Sequence, residues 1–329
     1  MASVSRSRLK SIVTAIAVMS TLVLIGAAAC QDRNKRPGRP SVEEKLVEAG
    51  LADHSKHPKL RIGVYTRRPL LGFMENGVNR GFEVEIARYI AKNLGYDSDQ
   101  KIEWVEIGTP NDRQIFLQQG KVDLVFASFS HTDNRCGKDW AGGDVLCAGP
   151  YLITEQSVII PMTMKGKISS IQHLKDLGGK VCVAAGTTSE RLLTEDRQMA
   201  VSSLNGTELC IDGIRAGTYL AASSDRTILA GFAAKYQGEL LVLDLKLGTA
   251  DRPGIEQLAV GVPRSNPALR ELVDYFLNKS FKDQQAGKAT AWTSAFDQYL
   301  SRWYGEQLTQ PSPQRVPDLL DYDAKSPTR

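Results

Sequence analysis

The segment from Gly120 to Arg135 carries the clearest chemistry in the chain. Leu124, Val125, Phe126 and Ala127 form the compact apolar run of a strand covered on both faces. Ser128, Ser130, Thr132 and Arg135 follow just past its carboxyl end, where open α/β sheets bind small molecules. A guanidinium forks onto a carboxylate through two parallel charge-assisted bonds, so this cradle calls for an anion, most simply an amino acid's α-carboxylate. The competing reading is a polar loop with a surface arginine.

Two later segments repeat the arrangement of a strand running into polar residues. Lys180 to Ala185 reads as a strand, followed by Gly186-Thr187-Thr188-Ser189-Glu190. Thr187 and Glu190 have capping-box spacing, so the helix carrying Leu192 and Leu193 starts there with free amides able to meet an anion. Tyr219 to Ser223 reads as a strand leading into Ser224-Asp225-Arg226-Thr227. Asp225 is either an ordinary N-cap or the partner of an ammonium group. In the second case Arg135 holds a carboxylate and Asp225 an amine.

The elements that must position these groups alternate strands with amphipathic helices, the pattern of an α/β protein. Leu60 to Tyr65 and Ile102 to Ile107 read as strands. Gly81 to Gly95 reads as a helix with Phe82, Ile86, Ile90 and Leu94 at i+4 spacing, and Asp112 to Gln119 as another. A second unit begins near Thr154 with a strand over Gln156 to Met162 and a short helical turn over Ile168 to Asp176. Ile228 to Gln237 is helical, Glu239 to Leu245 and Gln257 to Val262 are strands, and helices around Leu269 to Phe281 and Trp292 to Tyr304 close the domain. The end is rich in proline (Pro311, Pro313, Pro317, Pro327) and reads as a disordered tail.

The N-terminus points to export. Arg6, Arg8 and Lys10 precede an apolar stretch from Ile12 to Ala29 that closes on Gly26-Ala27-Ala28-Ala29 before Cys30. This is the pattern of a lipoprotein signal peptide with Cys30 as the lipidated first mature residue; an uncleaved anchor is the alternative. Four cysteines remain, Cys136, Cys147, Cys182 and Cys210, an even number that suggests two disulfides in an oxidising compartment. Neighbourhood favours Cys136 with Cys147 and Cys182 with Cys210, although four cysteines allow three connectivities. Their spacing lacks the close pairs of a zinc site. The chain has 41 basic and 37 acidic residues, and three of the cations lie in the signal. A nearly neutral remainder gives no reason to expect nucleic acid. Arg33, Lys35, Arg36 and Arg39, interleaved with Pro37, Gly38 and Pro40, read as a tether near the membrane.

With these pieces in order, the chain resembles the family 3 extracellular solute-binding proteins of ABC importers, most closely the glutamate/glutamine branch, from about Leu60 to Gln307. The resemblance rests on Gly81-Phe82-Glu83-Val84-Glu85-Ile86-Ala87, Gly120-Lys121-Val122-Asp123, Thr132-Asp133-Asn134-Arg135 and Gly149-Pro150-Tyr151. Gly186-Thr187-Thr188-Ser189 and Asp225-Arg226-Thr227-Ile228-Leu229-Ala230-Gly231 follow. It implies an α/β, two-lobed periplasmic-binding-protein-like fold of type II with two hinge crossovers. The expected divisions are a signal peptide over 1–29, a tether over 30–58, lobe 1 over 59–153 and 251–308, lobe 2 over 154–250 and a tail over 309–329.

The resemblance also implies roles. Arg135 would clamp the α-carboxylate with Ser130, Thr187 and Thr188, Asp225 would take the amine, and Ser128 would assist. In the acidic-ligand branch further arginines meet a side-chain carboxylate, pointing to Arg113 and to Arg67 or Arg68. Tyr65 or Phe73 would replace the family's aromatic lid, His131 sits where a small or apolar residue is common, and a cysteine-bounded loop separates Arg135 from Pro150. The expectation is a monomeric, lipid-anchored binding protein on the outer face of the cell membrane. It would deliver a polar amino acid, foremost glutamate, to an ABC permease, with no cofactor or metal. A membrane-coupled sensor, or a dehydratase using His131 or Glu190, are the alternatives.

Overall fold

The computed structural model describes residues 38–304 and 308–322. The signal peptide, Cys30 and most of the basic tether lie outside them. The compact unit runs from Ser41 onward.

Twelve strands are named in chain order among the described residues. In lobe 1 these are β1 (Leu60–Val64), β2 (Arg67–Arg68), β3 (Gly72–Glu75), β4 (Val78–Arg80), β5 (Ile102–Glu106) and β6 (Leu124–Ser130). Then come β7 (Leu146–Pro161), β8 (Val181–Ala184), β9 (Ser202–Leu204), β10 (Ala221–Asp225), β11 (Leu240–Leu243) and β12 (Ile255–Val262). β5, β1 and β6 are parallel, and β12 runs antiparallel between β6 and β7. Beyond it, β7 continues into lobe 2, where β10, β8 and β9 extend the sheet and β11 takes the other side of β7.

β7 is therefore the spine of the molecule. Its first part pairs with β12 as far as Glu155↔Ile255, and from Gln156↔Asp225 onward it belongs to lobe 2. The second chain crossing returns between β11 and β12. The strands are apolar where the sheet is covered: every residue of β6 is buried, as are Val158, Ile159 and Ile160 of β7. The helix Phe82–Asn93 packs Phe82, Ile86, Ile90 and Ala91 into lobe 1, the i+4 stripe its sequence predicts. Lobe 2 has its own cluster of Val158, Ile160, Val181, Val183, Leu192, Leu193 and Ala221.

Both disulfides form between the neighbouring cysteines. Cys136–Cys147 and Cys182–Cys210 have Cα separations of 5.3 and 5.5 Å. By the loop-entropy estimate each contributes about 3 kcal/mol. The first closes the loop that follows Arg135, and the second ties β8 to the helix Thr207–Arg215.

The expectation of a disordered tail over 309–329 does not hold for 309–322. These residues strap across lobe 1, because they carry polar and apolar anchors between the prolines. Gln310 is buried, with Ser280 Oγ donating to its Oε1 at 2.7 Å and its Nε2 donating to Leu277 O at 2.8 Å. Leu319 is buried, Tyr322 stacks on Phe276, and Leu320 O accepts from Val42 N at 3.0 Å. The strap thus reaches the helix Val42–Glu48, whose capping box is closed by Ser41 and Glu44.

Gln310→Ala removes two side-chain hydrogen bonds and leaves Ser280 Oγ and Leu277 O buried without them. The expected loss is about 1–3 kcal/mol of unfolding free energy in a denaturant titration, with ligand binding unchanged.

Candidate functional site

The lobes meet over a small, partly open space of about 10 Å³, room for little more than a water until the lobes part, lined by Arg68, Arg113, Ser128, Ser130 and Arg135 from lobe 1. Thr187, Thr188, Ser189, Thr207, Ser224, Asp225 and Ile228 line it from lobe 2. The lobe 1 residues sit at or beyond the carboxyl ends of parallel strands, the position where a doubly wound sheet leaves backbone amides and side chains free.

Arg135 hangs from the short helix Asp133–Cys136, capped by Thr132, whose Oγ1 accepts from Arg135 N. Its guanidinium donates to Ser130 O at 3.2 Å and, across the cleft, to Gly186 O at 2.8 Å. Phe129 backs it 5.1 Å away. Burial, together with the neighbouring charge of Arg113, pushes its pKa down to about 9, so it remains a cation at neutral pH.

Arg113 starts the helix Asp112–Gln118 and is buried rather than solvated. It donates to Pro110 O at 2.7 Å, Ala127 O at 3.2 Å and Ser128 O at 2.6 Å. Arg68 is only 2% exposed and lies over the Tyr65 ring at 3.5 Å, with its Nε unpartnered. Arg67 does not share that place. Its side chain is 62% exposed and pairs with Glu106 at 3.9 Å and, across the mouth of the cleft, with Glu208 at 3.6 Å. Successive residues of a strand point to opposite faces, so only one of this pair can turn inward. Phe73 packs on Tyr299, leaving Tyr65 as the aromatic beneath the site.

Ser128 takes a left-handed backbone conformation, with φ of 46°. Its N–H and Oγ–H both donate to Glu83 Oε1, at 2.6 and 2.9 Å, while its carbonyl turns to Arg113. Tyr151 of β7 donates to the same Glu83 oxygen at 2.6 Å. A strained residue held from both sides is the signature of a site fixed in advance. The Ser128 hydroxyl is thereby committed to Glu83 in this state.

On lobe 2, Asp225 ends β10 and begins the helix Arg226–Lys235. Its carboxylate accepts from Gln156 Nε2 at 3.1 Å, and the same amide reaches Glu256 Oε1 at 2.8 Å and Thr188 Oγ1 at 3.1 Å. Ser189 Oγ donates to Gln156 Oε1 at 2.5 Å. Gln156 belongs to one hinge strand and Glu256 to the other, so both crossovers hold the lobe 2 half of the site. Burial and the repulsion of Glu256 raise the Asp225 pKa to about 8, against the opposing pull of Arg68 and Arg113. Thr187 accepts from Glu190 N as predicted, but Glu190 reaches Gly186 N and Ser203 Oγ instead of closing the capping box. His131 stacks on Trp140 and faces Gly137 O. Among the described residues no cluster of His, Cys, Asp and Glu could hold a metal ion.

The sequence profile of the bacterial extracellular solute-binding proteins, family 3, matches residues 60–293. The chain belongs to that family. Its relatives include a glutamate-binding protein, GluB, of Corynebacterium efficiens, 23% identical over 78% of this chain and 82% of the relative. The ABC transporter glutamine-binding protein GlnH of Bacillus subtilis is 26% identical over 88% of this chain and 96% of the relative. Among solved structures, a solute receptor for L-cysteine of Neisseria gonorrhoeae has a TM-score of 0.64 at 25% identity, covering 79% of this chain and 96% of that one. The likeness places this chain on the two-lobed type II fold. Among the described residues no helix is long and apolar enough to cross a membrane.

For this family 3 chain, sequence reading did not single out Gln156, Glu256, Thr207 or Ile228, and it quoted Glu83 only as part of a motif. No local signal set Glu83 apart, because Glu85 shares the first turn of its helix, where an acidic residue is ordinary. Gln156 and Ile228 read as ordinary strand and helix residues, and Thr207 and Glu256 lie outside the elements read from sequence.

A carboxyl whose folded pKa lies above its unfolded value binds its proton more tightly in the native state, so stability falls as pH rises between the two values. Asp225 and Asp274, both raised from 3.8 to about 8 chiefly by burial, act in this sense. Asp225→Asn is expected to stabilise the ligand-free protein little at pH 4 and progressively more up to pH 8, read as melting temperature against pH.

Proposed function

We propose that this protein captures an acidic amino acid, foremost glutamate, between its lobes and delivers it to an ABC permease. The observation that carries the reading is the convergence of Arg68, Arg113 and Arg135 of lobe 1 on Asp225 of lobe 2. Among the residues lining the space between the lobes three guanidiniums stand against one carboxylate, with Glu256 and Glu83 acting from behind, and a ligand with two carboxylates and one ammonium supplies the anionic groups those guanidiniums bind best. In this reading Arg135, Ser130 and the Thr188 end of lobe 2 take the α-carboxylate, and Asp225 takes the amine. Arg68 and Arg113 meet the side-chain carboxylate. Arg67 has no part in it. Glutamate and glutamine are the ligands named for the two relatives above, which supports an amino acid of this length.

The capture step follows from where the groups lie. A ligand touching both lobes binds the closed form better than the open one and shifts the population toward it. Arg135 donates to Gly186 O across the cleft, and a bound carboxylate offers that guanidinium a stronger, charged acceptor. Cys30 carries the lipid in this reading and the protein works as a monomer on the outer face of the membrane. In this reading it binds without turnover: His131 and Glu190 are engaged by Trp140 and Gly137 and by Gly186 and Ser203, and Asp225 serves the ligand's amine.

Calorimetric titration of the refolded, ligand-stripped protein is expected to show tight binding of glutamate and aspartate and weaker binding of glutamine, cysteine and arginine. Tightest binding of arginine would overturn the charge argument. Arg135→Ala should weaken glutamate at least 100-fold with the melting temperature held within a few degrees. Arg68→Gln should cost glutamate at least tenfold and glutamine under threefold; equal losses would remove Arg68 from the side-chain subsite.

A further inference from the structure

The cleft-facing side of the helix Arg226–Lys235 contains an interruption. Asp225 and Ile228 line the ligand space, and Gly231 follows at the next i+3 step on the same face. Phe232 and Lys235 then line an outer crevice of about 630 Å³ shared with Pro69, Leu70 and Phe73 of lobe 1. Gly231 thus sits on the seam between the ligand chamber and the crevice, buried in the middle of a ten-residue helix. A helix-interior glycine is unfavourable relative to alanine, and no left-handed conformation requires it here.

Its close approach to lobe 1 supplies the reason. A Cβ built on Gly231 would lie 2.1 Å from Pro69 O and 3.0 Å from Pro69 C. Those are backbone atoms of the turn that follows β2, and they cannot swing aside as a side chain would. Restoring ordinary contact at 3.4 Å requires the two surfaces to part by more than 1 Å. The turn directly follows Arg68, the last residue of β2, whose charge acts on Asp225 across the seam. How deeply the turn seats on the helix therefore fixes how near Arg68 comes to the lobe 2 half of the site. Gly186 makes a second close approach, but there the neighbour is the amide end of the Asn111 side chain, which can turn away.

We infer that Gly231 sets the depth of lobe closure: its missing side chain is the seat into which the lobe 1 turn that follows Arg68 descends. A side chain at this position is a wedge that acts between the lobes and not within lobe 2. Because the helix itself gains from alanine, Gly231→Ala separates closure from folding, which most cleft substitutions cannot do.

The test uses cross-linking across the mouth of the cleft. Arg67 and Glu208 approach to 3.6 Å in the closed form and neither Arg67 nor Glu208 lines the ligand space. Arg67→Cys with Glu208→Cys is treated with a short bis-maleimide, without any amino acid, in the Gly231 protein and in Gly231→Ala. The expected result is cross-linking at least fivefold slower in Gly231→Ala, at a melting temperature equal to or above the parent's. Equal rates, a parent that does not cross-link, or a Gly231→Ala protein that melts lower or fails to fold would overturn the inference. Gly231→Ser, slower still than the alanine variant, provides a graded second reading. L-glutamate added to the parent should accelerate cross-linking. No response to glutamate would count against the proposed ligand, while the comparison without ligand still decides Gly231.

Discussion

Holding guanidinium groups together in a space with little water is the constraint on which this molecule is organised. Arg113 and Arg135 repel each other, and Arg68 adds a third cation beside them. Such a cluster stands only where every group finds acceptors or a counter-charge. The fold supplies backbone carbonyls for two of them: Pro110, Ala127 and Ser128 for Arg113, and Ser130 and Gly186 for Arg135. Arg68 receives an aromatic face and the field of Asp225. The left-handed turn at Ser128 belongs to this solution. It aims one carbonyl at Arg113 while Glu83 gathers the Ser128 amide and hydroxyl, with Tyr151 locking the carboxylate from the hinge strand.

The opposite lobe is governed by the complementary problem of keeping carboxylates buried. Asp225 and Glu256 stand near each other, and a single amide, that of Gln156, is shared between them and Thr188. Because Gln156 and Glu256 lie on different hinge strands, the charge state of the site and the geometry of the hinge are joined by hydrogen bonds. An ammonium group at Asp225 would stabilise its ionised form and relieve that repulsion. In the proposed reading binding and closing are two descriptions of one shift in population, and the glycine seat inferred at position 231 sets how far that shift runs.

The outer parts of lobe 1 keep this machinery steady. The strap through Gln310, Leu319 and Tyr322 reaches the helix Val42–Glu48, and Gln314 N donates to Gly149 O at the start of the spine strand. The hydrogen bonds and ring contact of Gln310, Gln314, Leu320 and Tyr322 fall on lobe 1. The strap therefore stiffens that lobe.

Much of the site was legible locally. Arg135 lies beyond β6 as its spacing suggests, while Ser128 and Ser130 belong to the last residues of β6 and Asp225 is the last of β10, so strand periodicity and the Thr187 cap bring these groups to the strand ends but place the ends a few residues early. Neighbouring cysteines likewise found each other across short loops. Other features depended on contacts between distant segments. Arg67 and Arg68 are indistinguishable as letters; the pleat turns one inward, and in the folded protein it is Arg68. Glu83 reads as an acidic residue in a helix's first turn, where a solvated carboxylate is ordinary, until Ser128 and Tyr151 enclose it. The proline-rich end reads as disordered because its anchors are few and separated, and only the surface of lobe 1 makes them binding. Sequence determined which chemistry stands at the end of each strand, because that depends on neighbours in the chain. The tertiary structure decided which groups share one desolvated space, because burial and charge balance are properties of segments brought together from far apart.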